Sequence, residues 1–190
     1  MKASMMVIII VLISASVSVA QDTPSPVTPV QQKVLRFQKM VGRVVQIEYS
    51  ELGKLEFTAN ESIKFETSYS CYVPEKSKFV KALRLTTERK NAPSSGGIFY
   101  IDFDELLDLS NAISAMVAIS TKSSDEEKPF SEITYHTLDG FEIGFTHIGK
   151  DQNGYIKMAP AGGDYASLKL ELLSALKQLV DKGIIKLRAK

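Results

Sequence analysis

Scarcity bounds this chain before any motif does. Its 190 residues include one cysteine, no tryptophan and two histidines. Cys71 alone can form no intramolecular disulfide, so stability has to come from packing. It lies in Tyr69-Ser70-Cys71-Tyr72-Val73, an aromatic, strand-prone stretch with no adjacent lysine, arginine or histidine to activate a thiolate. A buried inert thiol is expected there, and an intermolecular bridge is the alternative. The lack of tryptophan weakens any sugar-stacking site. Charge of one sign is missing too. Removing residues 1–20 takes away Lys2, the only charge before Asp22, and leaves basic and acidic residues equal in number. Such a chain has no long-range attraction for phosphate backbones or anionic lipid, so no nucleic-acid partner is expected.

Catalytic signatures are also missing. There is no Gly-x-Ser-x-Gly elbow, no His-Glu-x-x-His, no phosphate-binding glycine loop and no Cys-x-x-Cys. No catalytic residue, metal ligand or cofactor can be assigned. Apolar runs are short after the first residues, and none approaches the roughly 20 residues of a membrane-crossing helix.

The N-terminus carries the clearest positive signal. Lys2 precedes an apolar run from Met5 to Ile13, and small residues ending in Ser18-Val19-Ala20 lead into Gln21-Asp22. These are the three parts of a secretory signal peptide, placing residues 1–20 as a leader and the protein in a secreted or periplasmic location. Residues 21–30, with Pro24, Pro26 and Pro29, read as an extended linker. Residues 31–190 then form one α+β domain.

Within it the patterning predicts a short helix over 31–40 and strands over 41–49, 55–59, 63–73, 79–87 and 98–103. Leu52-Gly53 and Ala59-Asn60 read as turns. Asn60-Glu61-Ser62 is also a glycosylation sequon, meaningful in a eukaryotic source. Leu106, Leu109, Ile113 and Met116 line one stripe of a long amphipathic helix, with Asp102 and Glu105 spaced as a capping box. Strands over 131–138 and 141–148 flank Asp139-Gly140, a strong hairpin signal. A further strand spans 155–158. The last long helix carries Leu168, Leu172, Ala175, Leu176 and Leu179 and is expected to stop at Gly183. The fold class is α+β, mostly antiparallel sheet with two long amphipathic helices.

Strands followed by a helix occur twice, over 41–120 and 131–183, pointing to a duplicated β-β-β-β-α unit. An ungapped offset of about 66 residues sets Tyr69 on Tyr135, Phe79 on Phe145, Gly96-Gly97 on Gly162-Gly163, and Glu105-Leu106-Leu107 on Glu171-Leu172-Leu173. In topology alone, this arrangement resembles the Whirly-type and Pur-type families, whose duplicated sheet-plus-helix units bind single-stranded nucleic acid on their sheets. The leader and the balanced charge argue against that function here, and the resemblance assigns no functional residue.

A two-residue Asp139-Gly140 turn would place His136 opposite Ile143 and His147 opposite Glu132. Both imidazoles would share the face of Leu138, Phe141, Ile143 and Phe145, about 13 Å apart along the ladder and too distant to grip one metal. His136 is expected to be partly buried and His147 to pair with Glu132. The acids Asp102, Asp104, Glu105 and Asp108 read as helix-capping residues and not as a cation site. In the same register Tyr135 stands opposite Gly144 on the outer face, and the offset makes Tyr69 its counterpart. Tyr69 and Tyr135 are therefore the candidate residues of an aromatic platform for a protein or small-molecule partner in the cell envelope or outside. The leading function is an exported, non-catalytic binding domain. The alternatives are a secreted hydrolase using carboxylates and a nucleic-acid-binding relative.

Overall fold

The computed structural model describes residues 33–90, 97–123, 128–138, 140–158 and 165–190. The expected leader over residues 1–20, the expected linker over residues 21–30, Asp139 and Gly162-Gly163 lie outside the described residues. A short helix α1 (Lys33–Gln38) precedes four antiparallel strands: β1 (Val45–Thr58), β2 (Glu61–Tyr72), β3 (Phe79–Arg89) and β4 (Ile98–Asp102). After a 3-10 turn at Phe103–Glu105 comes α2 (Leu106–Ser123). The pattern then repeats as β5 (Lys128–His136), β6 (Glu142–Gly149), β7 (Asp151–Lys157), β8 (Tyr165–Leu168) and α3 (Leu172–Arg188). The strands form two sheets, β1-β2-β3-β4 and β5-β6-β7-β8, each in sequence order. This is the α+β class expected, a sheet-plus-helix unit occurring twice. Among the described residues no helix is long and apolar enough to cross a membrane.

Alternation places Leu55, Phe57, Ile63, Phe65, Leu83, Leu85, Phe99 and Ile101 on the inner face of the first sheet, all buried. Phe141, Ile143, Phe145, Ile156 and Leu168 do the same for the second. Leu106, Leu109, Ile113 and Met116 of α2 join them, as do Leu173, Leu176, Val180, Ile184 and Leu187 of α3, in one continuous core. The helices are exchanged. α3 lies against β1, β2 and β3 of the first sheet, and α2 lies against β5 of the second, while α2 and α3 pack on each other. Ser110 of α2 donates to Asp181 of α3 at 2.5 Å, and Phe99 meets Phe141 with centroids 6.1 Å apart.

Several elements depart from the sequence reading. The expected turn at Leu52-Gly53 is a bulge inside one continuous β1, where the register shifts and Gly53 takes φ +150°. The expected stop at Gly183 is also absent. α3 runs through it because a Cβ there would come within 3.0 Å of Leu83 Cδ1 and 3.3 Å of Leu52 Cδ1, so glycine lets the helix sit close on the sheet. Leu168 belongs to β8, which the sequence reading did not contain. Asp102 makes no capping hydrogen bond to the turn that follows it. Its carboxylate lies instead 4.0 Å from Lys33 Nζ of α1, while Glu105 accepts from Leu138 N at 2.7 Å.

The exchange has a consequence for folding. A fragment ending at residue 123 keeps its own sheet but lacks α3, and the five buried α3 residues contribute about 10 kcal/mol of apolar burial. Such a fragment should show no dispersed amide spectrum alone and should regain one when mixed with residues 128–190. Independent folding of either half would contradict the exchange.

Candidate functional site

The hairpin register decides which side chains face outward. Thr137 N donates to Phe141 O at 2.9 Å and Gly140 has φ +87°, so three residues, not two, connect β5 and β6. The pairing therefore slips by one residue from the expected register, to Ser131 with His147, Glu132 with Thr146, Tyr135 with Ile143 and His136 with Glu142. A one-residue slip moves every side chain of one strand to the other face relative to its partner. His136 is thus exposed on the outer face, its Nδ1 3.7 Å from Glu142, and not partly buried. His147 is 1 % exposed on the inner face with Nε2 unpartnered, so the expected pair with Glu132 does not form.

The same slip turns Tyr135 inward, where it packs against the core; burial raises its pKa, with Asp108 and Glu105 adding to the effect. Tyr69 is not its structural counterpart, since it lies on β2 whereas Tyr135 lies on β5. The offset of about 66 residues does match β4 to β8 and α2 to α3, but unequal strand lengths break it upstream. The two tyrosines share no outer platform.

What the two sheets do share is a row in register that no constant offset reveals. Across the first sheet, Glu66 on β2 pairs in register with Arg84 on β3, and Arg84 with Tyr100 on β4. Across the second, Glu142 on β6 pairs with Lys157 on β7, and Lys157 with Tyr165 on β8. Each unit therefore repeats glutamate, cation and tyrosine on equivalent strands. In the first row Arg84 is ion-paired to Glu66 and its guanidinium carbon stands 4.8 Å over the Tyr49 ring. Lys64 lies 2.9 Å from Glu66 and 3.3 Å from Glu51, and Tyr49 Oη is 3.3 Å from Tyr100 Oη. Burial pushes the Glu66 carboxyl up, but Lys64 and Arg84 outweigh it, and the net shift is downward. Burial and the Tyr49 hydrogen bond push Tyr100 up to about 12. In the second row burial pushes the Glu142 carboxyl up, but Tyr155 and Lys157 outweigh it, and the net shift is downward. Tyr155 Oη donates towards Glu132 at 2.9 Å and Glu142 at 3.0 Å, its ring lying where a Cβ at Gly144 would stand 2.8 Å from that oxygen.

Tyr69 belongs to a different cluster, at the end of the first sheet where α3 terminates. Its ring stacks on Phe79 with centroids 5.6 Å apart and faces Lys190 Nζ at 5.5 Å. Lys81 Nζ lies 5.2 Å from the Phe79 centroid and 5.7 Å from that of Phe103, and it donates to Leu187 O at 2.8 Å. The result is a ladder of cation, two aromatics, cation and aromatic. Beside it opens a cavity of about 280 Å³ walled by Phe79, Val80 and Phe103, with Lys33, Lys81, Asp102 and Asp104 at its margins. Asp102 is 5 % exposed and burial raises its pKa, with Lys33 opposing. Lys33 is bonded to Asp104, whose hydrogen bond raises the lysine's pKa. Among the described residues no three histidine, cysteine, aspartate or glutamate side chains are grouped to hold a metal ion. Cys71 is a free, buried thiol.

Neither a protein-family model nor a curated protein matches the chain. The site is therefore read from its own geometry. Phe79 and Lys81 carried a sequence signal, alternation on a strand, but nothing in the sequence brings Phe103 beside them.

The first outer row makes a pH prediction. The folded pKa of Glu66 lies below its ordinary value of 4.5, so its ionised form stabilises the protein above that pH and the contribution is lost as pH falls through the folded value. Glu66→Gln should lower the urea midpoint at about pH 7 and leave it unchanged at about pH 2. Asp102 acts in the opposite sense, its raised pKa making ionisation costly as pH rises.

Proposed function

We propose that the protein is an exported, non-catalytic binding module whose contact site is the aromatic and cationic end of the first sheet. The observation that carries this reading is the cavity between Phe79 and Phe103 with Lys81 set against both rings. Apolar walls with a few convergent polar groups are the usual make-up of a ligand pocket. Lys81 has three N–H donors, and one goes to Leu187 O. The chemistry that fits is a flat apolar group bearing a carboxylate, either a small molecule or a side chain of a protein in the envelope or outside. The ring would lie against Phe79 and Phe103, and the acid would meet Lys81. Asp102 fits a holding role better than proton transfer, because its buried carboxylate is ion-paired to Lys33 at 4.0 Å. The sequence of residues 1–20 supports the address.

3-Phenylpropionate tests the pocket. Its titration should shift the backbone amides of residues 79–81 and 102–104, 3-phenylpropylamine should bind more weakly, and Lys81→Met should reduce affinity for the acid about tenfold. Perturbations elsewhere, or equal binding of the amine, would count against this site. The address is tested separately by N-terminal sequencing of protein recovered from its host. Gln21 is expected as the first residue, and an intact Met1 on soluble cytoplasmic protein would reject export.

A further inference from the structure

β1 is an edge strand, and its two halves are protected differently. At the bulge Lys186 Nζ donates to Glu51 O at 3.4 Å while Lys182 Nζ donates to Leu52 O at 3.3 Å. Lysines over an edge are a common device against strand addition. The half before the bulge has no such cover from α3 on its backbone edge. Val73 N donates to Val44 O at 3.0 Å, so the antiparallel alternation turns the backbone groups of Val44, Gln46, Glu48 and Ser50 toward β2. The N–H and C=O groups of Val45, Ile47 and Tyr49 consequently point away from the sheet. Their side chains share its outer face, where Ile47 is 37 % and Tyr49 43 % exposed. A backbone edge left open among the described residues, beneath an apolar row, is a template for another strand.

The sequence around that edge is complementary to itself. An antiparallel pairing centred on Ile47 sets Ile47 against Ile47 of a second copy, Val45 against Tyr49, Gln46 against Glu48, Val44 against Ser50, and Arg43 against Glu51. Ile47, Val45 and Tyr49 occupy hydrogen-bonded positions in this register, so all three outward residues of each copy find partners at once. Apolar residues meet β-branched or aromatic ones, and the only full charges directly opposed are of opposite sign. A shift of register by two residues would lose the Arg43–Glu51 match and the two-fold centre on Ile47. We propose that two copies of this chain pair through the β1 edge at Val45–Tyr49, with the Arg43 and Glu51 side chains meeting at its flanks, joining their first sheets into one eight-stranded antiparallel sheet. The two-fold axis runs perpendicular to the sheet, so the Glu66-Arg84-Tyr100 rows of both copies lie on the same face of the joined sheet.

Sedimentation equilibrium of the purified chain from micromolar to millimolar concentration tests the pairing. A monomer–dimer equilibrium is expected. Ile47→Lys places like charges across the axis and should weaken association at least about tenfold with unchanged far-UV circular dichroism. Arg43→Glu should weaken it as well, and adding Glu51→Arg should restore it, a rescue that general damage to the strand would not give. A monomer at every concentration, or a dimer indifferent to Ile47→Lys and to both charge reversals, would overturn the proposal and leave this edge to a foreign strand.

Discussion

α3 has to reach a sheet that its own half of the chain did not make, and the remaining architecture depends on that contact. Leu173, Leu176, Val180, Ile184 and Leu187 form its apolar stripe, and the surface they cover belongs to β1, β2 and β3. At roughly 2 kcal/mol for each buried side chain, the stripe is comparable with the net stability of an ordinary domain. The contact is also geometrically exacting. Gly183 and Gly53 sit where the helix and sheet come closest, and a Cβ at Gly53 would stand 3.0 Å from Leu179. With α2 set against the second sheet in return, each inner face is covered by the helix of the other unit.

With the inner faces covered in this way, the outer face of the first sheet carries both the small apolar cluster of Val34, Ala82 and Tyr100 under α1 and a polar row. On the first sheet Ser68 Oγ, Thr86 Oγ1 and Arg84 Nε are buried without a hydrogen-bond partner among the described residues. Atoms of that kind carry a desolvation cost, and here they surround an ion pair that offsets part of it. The second sheet repeats the order of glutamate and cation with a tyrosine hydroxyl linking Glu132 and Glu142. Duplication is thus recorded twice, in the apolar helices and in the charged rows. Among the described residues the ladder around Tyr69 has no such counterpart. It forms where the end of α3 delivers Leu187 O and Lys190 to one end of the first sheet.

Much of the fold was legible in the chain. Leu106, Leu109, Ile113 and Met116 announce one helix by spacing alone, and the inward series Ile63, Phe65 and Leu83, Leu85 announces strands, because both periods depend on backbone geometry near each residue. The shared Glu-Leu-Leu at 105–107 and 171–173 does mark the start of both long helices. The candidate site was far less legible. One extra residue in the turn after Thr137 sent Tyr135 inward and His136 outward and set His147 opposite Ser131 instead of Glu132, which no inspection of alternation can foresee when both faces of β5 carry apolar or aromatic residues. Gly183 read as a stop signal, since a glycine past a helical stripe ordinarily ends it, yet close approach to Leu83 gives it another use.

By itself the sequence determined most of the helical and strand segments, that they recur as two units, and that the protein carries nearly balanced charge with a single thiol. Those properties follow from composition and from periods a few residues long. Only the tertiary structure decided which helix covers which sheet, which face each tyrosine and histidine occupies, and that Phe79, Lys81 and Phe103 wall one cavity. These depend on strand register and on contacts between residues distant in the chain, where a single added turn residue or a missing Cβ changes the outcome while leaving the local pattern as it was.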